Sequence, residues 1–348
     1  MGESEPLISV VMPVYNNEKY LSQAIESILS QTFYDFEFII VCEYGTNDKT
    51  IEILEYYLKA DSRIILIKNV SKLGISASLN AGIQLSKSEY IARMDSDDVA
   101  LPNRLKVQID FMNEHTDVDI CCSDVDYING SGKKFYCKNN LSENPEQIKS
   151  DLLFFCFIHH PSVMFRKSAL LKYNLFYNET FVKSEDLELW CRASHLVKIT
   201  KIPQVLLQYR WHPNSASHDI SNISEKYNLD IMRNNLRIFD IEISEKDLKC
   251  LLRTTCRENF FNYRKIEKRL NCIHDEILNK NREFNIYDEA CLIKTLNKRM
   301  YWKKHKIRRL TVVFIKSLAQ LFSNETMFFS AVYLELNGFT AVLKRIFS

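Results

Sequence analysis

Between residues 7 and 122 the hydrophobic pattern switches back and forth between two periods, and this restricts the chain to very few architectures. Short apolar runs of strand length occur at LISVVM (7–12), FEFIIV (36–41), RIILI (63–67), YIARM (90–94) and VDICC (118–122). The stretches between them carry apolar residues at helical spacing. EKYLSQAIESILSQ (18–31) places Leu21, Ile25, Ile28 and Leu29 on one stripe, and the segment opened by GTNDKT repeats the spacing with Ile51, Leu54 and Leu58. ISASLNAGIQL (75–85) reads as a third helix. PNRLKVQIDFMNEH (102–115) reads as a fourth, with Pro102 at its start, Leu105, Ile109 and Met112 inward, and a proline tolerated at a helix N-terminus. Strand and helix in strict alternation predict an α/β fold, a mostly parallel sheet with right-handed crossovers and helices on its faces.

Sheets of this kind bind ligands beyond the carboxyl ends of their strands. The turns predicted at that edge carry Tyr15 and Asn16 after the first strand, Glu43 after the second, and Asp95, Asp97 and Asp98 after the fourth. Packing three like charges into four positions is unfavourable unless they are solvated or share a cation. Carboxylate oxygens are hard ligands suited to Mg2+ or Mn2+. The plainer reading is a solvated turn in which Asp98 caps the helix that follows.

Farther along, HHPSVMF (159–165) reads as a loop running into a strand, SEDLELWCRASH (184–195) as a helix opened by Ser184, and VLLQYRWH (205–212) as a strand ending in a polar loop. ISVVMPVYNNEKYLSQAIESILSQTF, FEFIIV, LGISASLNAGI, EYIARMDSDDVALPNRL, HPSVMFRKSAL and SEDLELWCR, taken as a set and in this order, resemble the inverting glycosyltransferases of family 2. The resemblance covers roughly residues 7–215. It implies a GT-A (Rossmann-like) fold, a nucleotide-diphosphate sugar donor (a UDP-sugar in the first place), a Mn2+ or Mg2+ cofactor and transfer to a hydroxyl of a glycan or lipid-linked glycan acceptor in surface-polysaccharide or lipopolysaccharide synthesis.

Residue by residue, the resemblance implies donor contacts from Pro13, Tyr15, Asn16, Glu18, Glu43, Asn80, Asp95 and Asp97, with Tyr15 along the base. It implies Asp97, Asp98 and His212 as metal ligands and Asp186 as the base that takes the acceptor proton. Glu185 would orient acceptor hydroxyls, and Trp190 would offer a sugar platform, the plainer reading being a core tryptophan. One departure stands out. Where the family carries paired aspartates before a GST turn, this chain reads CEYGTND, so Tyr44 replaces the carboxylate that contacts uracil. That counts against uridine as the base.

Other classes fit less well. A dehydrogenase would need GxGxxG after the first strand, and a nucleotidyltransferase a glycine-rich basic loop; PVYNNEKY supplies neither. A non-catalytic sugar-binding protein with the same fold is the alternative, and retention of Asp186 beside the acidic triplet argues against it. The ten cysteines form no CxxC pair and are expected to be reduced thiols. No secretory signal or apolar run of roughly 18 residues is evident, so a cytoplasmic location is expected.

The catalytic domain is expected to span residues 1–225 and a helical, basic extension residues 226–348. Within the extension, KKHKIRR precedes an apolar stripe of Leu310, Phe314, Leu318 and Leu321. This combination suits peripheral contact with an anionic membrane surface. Nucleic acid is not expected, since no wide basic face on a known module accompanies the run and the net charge is only +2.

Overall fold

The computed structural model describes residues 5–135, 141–212, 222–252 and 263–299. Its elements are β1 (Ile8–Val14), α1 (Leu21–Leu29), β2 (Phe36–Cys42), α2 (Thr50–Ala60), β3 (Ile64–Lys68), α3 (Ile75–Leu85), β4 (Tyr90–Arg93), β5 (Val99–Ala100), α4 (Arg104–Glu114), β6 (Ile120–Asn129) and β7 (Lys134–Phe135). They continue with α5 (Pro145–Asp151), a 3-10 turn at His160–Ser162, β8 (Met164–Arg166), α6 (Lys167–Lys172), α7 (Glu185–Ala193), β9 (Ile199–Trp211), α8 (Asn222–Arg237), α9 (Glu245–Leu252) and α10 (Tyr263–Phe284). Each strand and helix read from the pattern up to residue 122 is present, with ends displaced by a few residues.

The sheet runs in the order β3-β2-β1-β4-β8-β6-β9-β5, with β7 paired to β6. Strands β1 to β4 are parallel, as expected, with Ile8 opposite both Phe36 and Tyr90. β1 and β2 are covered on both faces, which is why they read as unbroken apolar runs. Ile8, Val10 and Met12 pack with Leu21, Ile25 and Ile28 on one face, while Val11 packs with Leu79 and Ile83 on the other. Helix α3 lies so close to β1 that a Cβ on Gly82 would fall 2.5 Å from Val11 Cγ1.

Beyond β4 the parallel expectation needs correcting. β8 enters between β4 and β6, antiparallel to both. The strand read as VDICC extends to Asn129 and pairs in parallel with β9. Periodicity shows that a segment is a strand but not which neighbour it pairs with, and β8 arrives from the loop at residues 159–163 rather than through a helical crossover.

Among the described residues, one compact unit comprises those through Glu242 together with Lys280–Leu292, and the other comprises those within 243–279 and 293–299. The expected boundary at 225/226 therefore falls inside α8. That helix buries Leu229, Ile231, Met232 and Leu236, and Asn235 Nδ2 donates to the Leu152 carbonyl. The basic run and its apolar stripe, residues 301–322, lie outside the described residues. Among the described residues, no helix is long and apolar enough to cross a membrane.

Candidate active site

A crevice of about 830 Å³ opens at the carboxyl ends of β1, β2 and β4. Its walls come from Pro13 to Tyr20, Glu43, Asp48, the 72–78 segment, Asp95 to Asp97, and the end of β9 at Tyr209, Arg210 and His212. Two loops are fastened together on one side. Asn16, held at φ 44°, accepts from the Asn47 N–H through Oδ1 at 2.9 Å. Glu18 N–H donates to Asp48 Oδ2 at 3.0 Å, and Lys49 N–H donates to Glu18 Oε2 at 3.0 Å. Tyr15 remains half exposed, with Lys72 Nζ 5.6 Å from its ring centroid.

Glu43 is buried and its carboxylate is fully engaged. It accepts from the backbone N–H groups of Tyr44 (2.7 Å), Leu73 (3.2 Å) and Gly74 (2.5 Å), and from Asn69 Nδ2 (3.3 Å). Burial pushes its pKa up, but the donors of Leu73, Gly74, Tyr44 and Asn69 outweigh burial and hold it below the ordinary value. Gly74 itself sits at φ 87°, a conformation that glycine adopts without a steric cost.

The aspartates after β4 are placed differently. Ligand oxygens of Asp95, Asp97 and Asp98 lie within 4.8 Å of one another. Asp95 is ion-paired with the buried Arg93. Asp97 Oδ2 lies 3.0 Å from His212 Nε2. Asp98 is buried; Oδ1 accepts the Arg210 N–H at 2.6 Å, while Oδ2 has no hydrogen-bond partner among the described residues. Burial first, then repulsion from Asp95, raises the Asp97 pKa, and His212 only partly offsets this. Burial, then Asp97 and Asp95, raises Asp98 well above the ordinary value. The Arg210 guanidinium does not relieve the crowding: Nε donates to the Asp97 carbonyl at 2.6 Å and Nη2 to Gln23 Oε1 at 2.6 Å. A buried, unpartnered carboxylate oxygen within an acidic triplet fits a divalent cation.

Glu185 and Asp186 open α7, where the preceding Ser184 takes a left-handed conformation at φ 60°. Asp186 Oδ1 accepts the Leu187 N–H at 2.7 Å. Burial, followed by Asp186, lifts Glu185 to about 7. Burial also raises Asp186, with Leu187 N–H and the charge of Arg93 opposing it. Asp95 acts on both residues, so the two acidic groups share one electrostatic neighbourhood centred on Arg93.

The glycosyl transferase family 2 profile matches residues 9–173. The glycosyltransferase MJ1057 of Methanocaldococcus jannaschii is 41% identical over 219 residues, covering 60% of this chain and 73% of that protein. The O-antigen biosynthesis glycosyltransferase WbnJ of Escherichia coli is 34% identical over 214 residues, covering 60% of this chain and 82% of that protein. The chain belongs to glycosyl transferase family 2. In fold it resembles S. aureus TarS residues 1–349 solved with UDP-GlcNAc, at a TM-score of 0.58 and 17% identity, over 86% of this chain and 90% of that one. The fold is GT-A and the protein is a glycosyltransferase.

Within this glycosyltransferase the expected site residues fall into groups. Pro13, Tyr15, Asn16, Glu18, Glu43, Asp95, Asp97 and His212 all line the crevice. Asp98 lies behind the lining, and Glu185 and Asp186 lie outside it, near Arg93. Trp190 is the core tryptophan of the plainer reading, and the sugar-platform expectation is corrected. It is fully buried, stacked at 5.7 Å on Phe165, because the inward stripe of α7 packs on β8. Asn80 is also reassigned. Its amide donates to the Tyr177 carbonyl (2.9 Å) and Glu179 (3.0 Å) and accepts the Tyr177 N–H (2.9 Å), so it latches the loop leading to α7 and does not line the crevice.

Two contributors were not singled out from the sequence. Arg93 carries a buried positive charge between the acidic groups, and its signal was available as a charge inside the apolar run YIARM. Asp48 pins the first two loops; its signal was the turn-forming GTND stretch. Arg104, also fully buried, donates to the Arg93 carbonyl at 2.6 Å and fixes the end of β4 behind the aspartates.

Proposed function

We propose that this enzyme is a metal-dependent inverting transferase that moves a sugar from a nucleotide-diphosphate donor, a UDP-sugar by preference, to a hydroxyl of a glycan or lipid-linked glycan of the cell surface. The observation that carries the reading is the acidic triplet at the crevice, with its unpartnered Asp98 oxygen. The structural neighbour solved with UDP-GlcNAc supports the uridine donor, and the O-antigen relative supports a surface-glycan acceptor.

In this reading Tyr15 lies along the base, and the fastened 15–18 and 46–50 loops hold it in place. Glu43 shapes the 69–74 loop from below; with its oxygens occupied, it supports the base site without reading the base edge. Asp97, Asp98 and His212 would hold Mn2+ or Mg2+, which when bound neutralises charge developing on the departing diphosphate. Asp95, oriented by Arg93, faces the sugar-nucleotide. Asp186 accepts the proton of the attacking hydroxyl, which general-base assistance makes worth ~10²–10⁴ in rate. Burial raises its pKa toward the range where a carboxylate is an effective base, and Glu185 beside it orients sugar hydroxyls.

The test is a thermal-shift series with UDP, GDP and dTDP, each with and without Mn2+. A shift for one base that requires the metal, and that disappears in Asp97→Ala, is the expected result. Equal shifts with and without Mn2+ would remove the metal from the reading, and no shift with any nucleotide would remove the donor.

A further inference from the structure

β4 ends in a charge that its own pleat turns into the protein. Alternation along the strand puts Ile91 and Arg93 on one face of the sheet and Ala92 on the other. Ile91 belongs to the core cluster that holds Phe165, Leu189 and Trp190, so Arg93 shares the face that α7 covers. Arg93 is 3% exposed. Its backbone is pinned on both sides: the N–H donates to the Val163 carbonyl at 3.0 Å, and the carbonyl accepts from Arg104 Nη2 at 2.6 Å. The guanidinium is ion-paired with Asp95, while Nε has no hydrogen-bond partner among the described residues. A buried cation engaged on one side only is poorly screened, and its field reaches other charges around it.

Asp186, at the start of α7, lies within that field. Around it stand Glu185 beside it, Asp95 from the turn after β4, Tyr177 from the segment before α7, Cys156 from the segment before the 3-10 turn, and Cys191 farther along α7. Each of these five is neutral or negative; Arg93 is the cation of the set. Burial raises the Asp186 pKa, and the Leu187 N–H and then Arg93 oppose it. Asp95 lines the crevice and Asp186 does not. One guanidinium therefore neighbours an acid on the donor side and an acid standing apart from the diphosphate end, which is the division that inversion requires.

We propose that Arg93 is a positioning residue for both substrates: its buried guanidinium orients Asp95 at the donor crevice and supplies the positive charge beside which Asp186 serves the acceptor hydroxyl. The inference rests on the transferase reading above, with Asp186 as the base, and adds the group that keeps that base charged. An arginine suits the position because its planar fork can hold one carboxylate while its charge stays fixed at any working pH.

The experiment titrates the full chain, labelled with 13C at the aspartate carboxyls, by NMR in EDTA; the Asp186 signal is the one missing from Asp186→Asn. In Arg93→Met the Asp186 midpoint is expected to rise by about one pH unit, a tenfold change in its ionisation constant. Arg93→Lys, which keeps the charge without the fork, should stay within about half a pH unit of wild type. The UDP–Mn2+ thermal shift reads the donor side, where UDP affinity should fall roughly tenfold in Arg93→Met and about threefold in Arg93→Lys. Asp95→Asn leaves the arginine in place and decides the matter if the Arg93 variants do not fold: it should lower the Asp186 midpoint. A purely structural arginine would lower the melting transition of both Arg93 variants and leave the midpoint where it is. An unchanged midpoint in folded Arg93→Met, an equal rise in Arg93→Met and Arg93→Lys, UDP affinity untouched by Arg93→Met, or a midpoint unmoved by Asp95→Asn overturns the proposal. A raised midpoint in Arg93→Met, with no UDP shift even in wild type, would support the charge role and remove the donor reading instead.

Discussion

The ends of β2 and β4 lie along the same edge of the sheet, and each delivers buried acid to the same crevice, yet the two are built to opposite ends. Glu43, after β2, receives four N–H donors and is held in its charged form. Asp97 and Asp98, after β4, crowd each other, and one buried oxygen of Asp98 has no donor among the described residues. A carboxylate whose lone pairs are filled by backbone has finished its work when the chain folds. A carboxylate left short of donors and pressed against others is suited to a ligand. Residue type alone does not separate the two; the supply of donors does.

The largest effect that could break this contrast is at β4. Asp97→Ala should abolish the Mn2+-dependent nucleotide shift and lower transfer by roughly 10³ or more, as expected when charge stabilisation of a leaving group is lost. If Asp97→Ala keeps the metal-dependent shift, the acidic triplet is a solvated turn after all. Next in size is the acid outside the crevice. Asp186→Asn should keep the nucleotide shift and lower kcat by ~10²–10⁴, measured as released nucleotide under saturating donor.

Glu43→Ala should behave as a structural lesion. Stranding the N–H groups of Leu73, Gly74 and Tyr44 costs about 1–3 kcal/mol, to be read as a lowered unfolding midpoint in urea, with metal binding retained. A loss of nucleotide binding without loss of stability would put Glu43 with the aspartates instead.

The smallest and sharpest effect is the sign of the pH dependence. Glu43 has a lowered folded pKa, so its contribution is present above its ordinary value and is lost as pH falls through the folded value. Glu185 is raised from 4.5 to about 7, so its cost to metal-free protein sets in as pH rises from about 4.5 and is complete above about 7. Glu43→Gln should flatten the acid side of a stability profile and Glu185→Gln the neutral side, both followed by chemical denaturation in EDTA.

The donor half was legible because its physics is local. A short apolar run followed by an amphipathic stripe specifies strand, crossover helix and parallel neighbour, and the acids at the strand ends fall at one edge by topology. Thus Tyr15, Asn16, Glu43 and Asp97 could be gathered from positions far apart in sequence. The other half depends on pairing over long separations. Nothing in VDICC or HHPSVMF says that β8 comes between β4 and β6. Trp190 illustrates the same limit within α7: the stripe that follows Asp186 turns inward on Phe165, so a tryptophan one turn from a partly buried acid is a core residue. Asn80 could not be assigned because its partners, Tyr177 and Glu179, lie in a segment with no periodic signal.

The antiparallel insertion of β8 has a consequence for biogenesis. As the chain leaves the ribosome, β1 to β4 can associate once residue 93 has emerged, but the outer side of β4 stays uncovered until Met164–Arg166 arrives. During that interval a nascent parallel sheet presents an unpaired backbone edge, a known invitation to pairing with other chains. Truncation between α4 and the 3-10 turn should therefore yield an insoluble product, whereas ending the chain after β9, which completes the pairing of β6, gives a fragment with far less exposed edge.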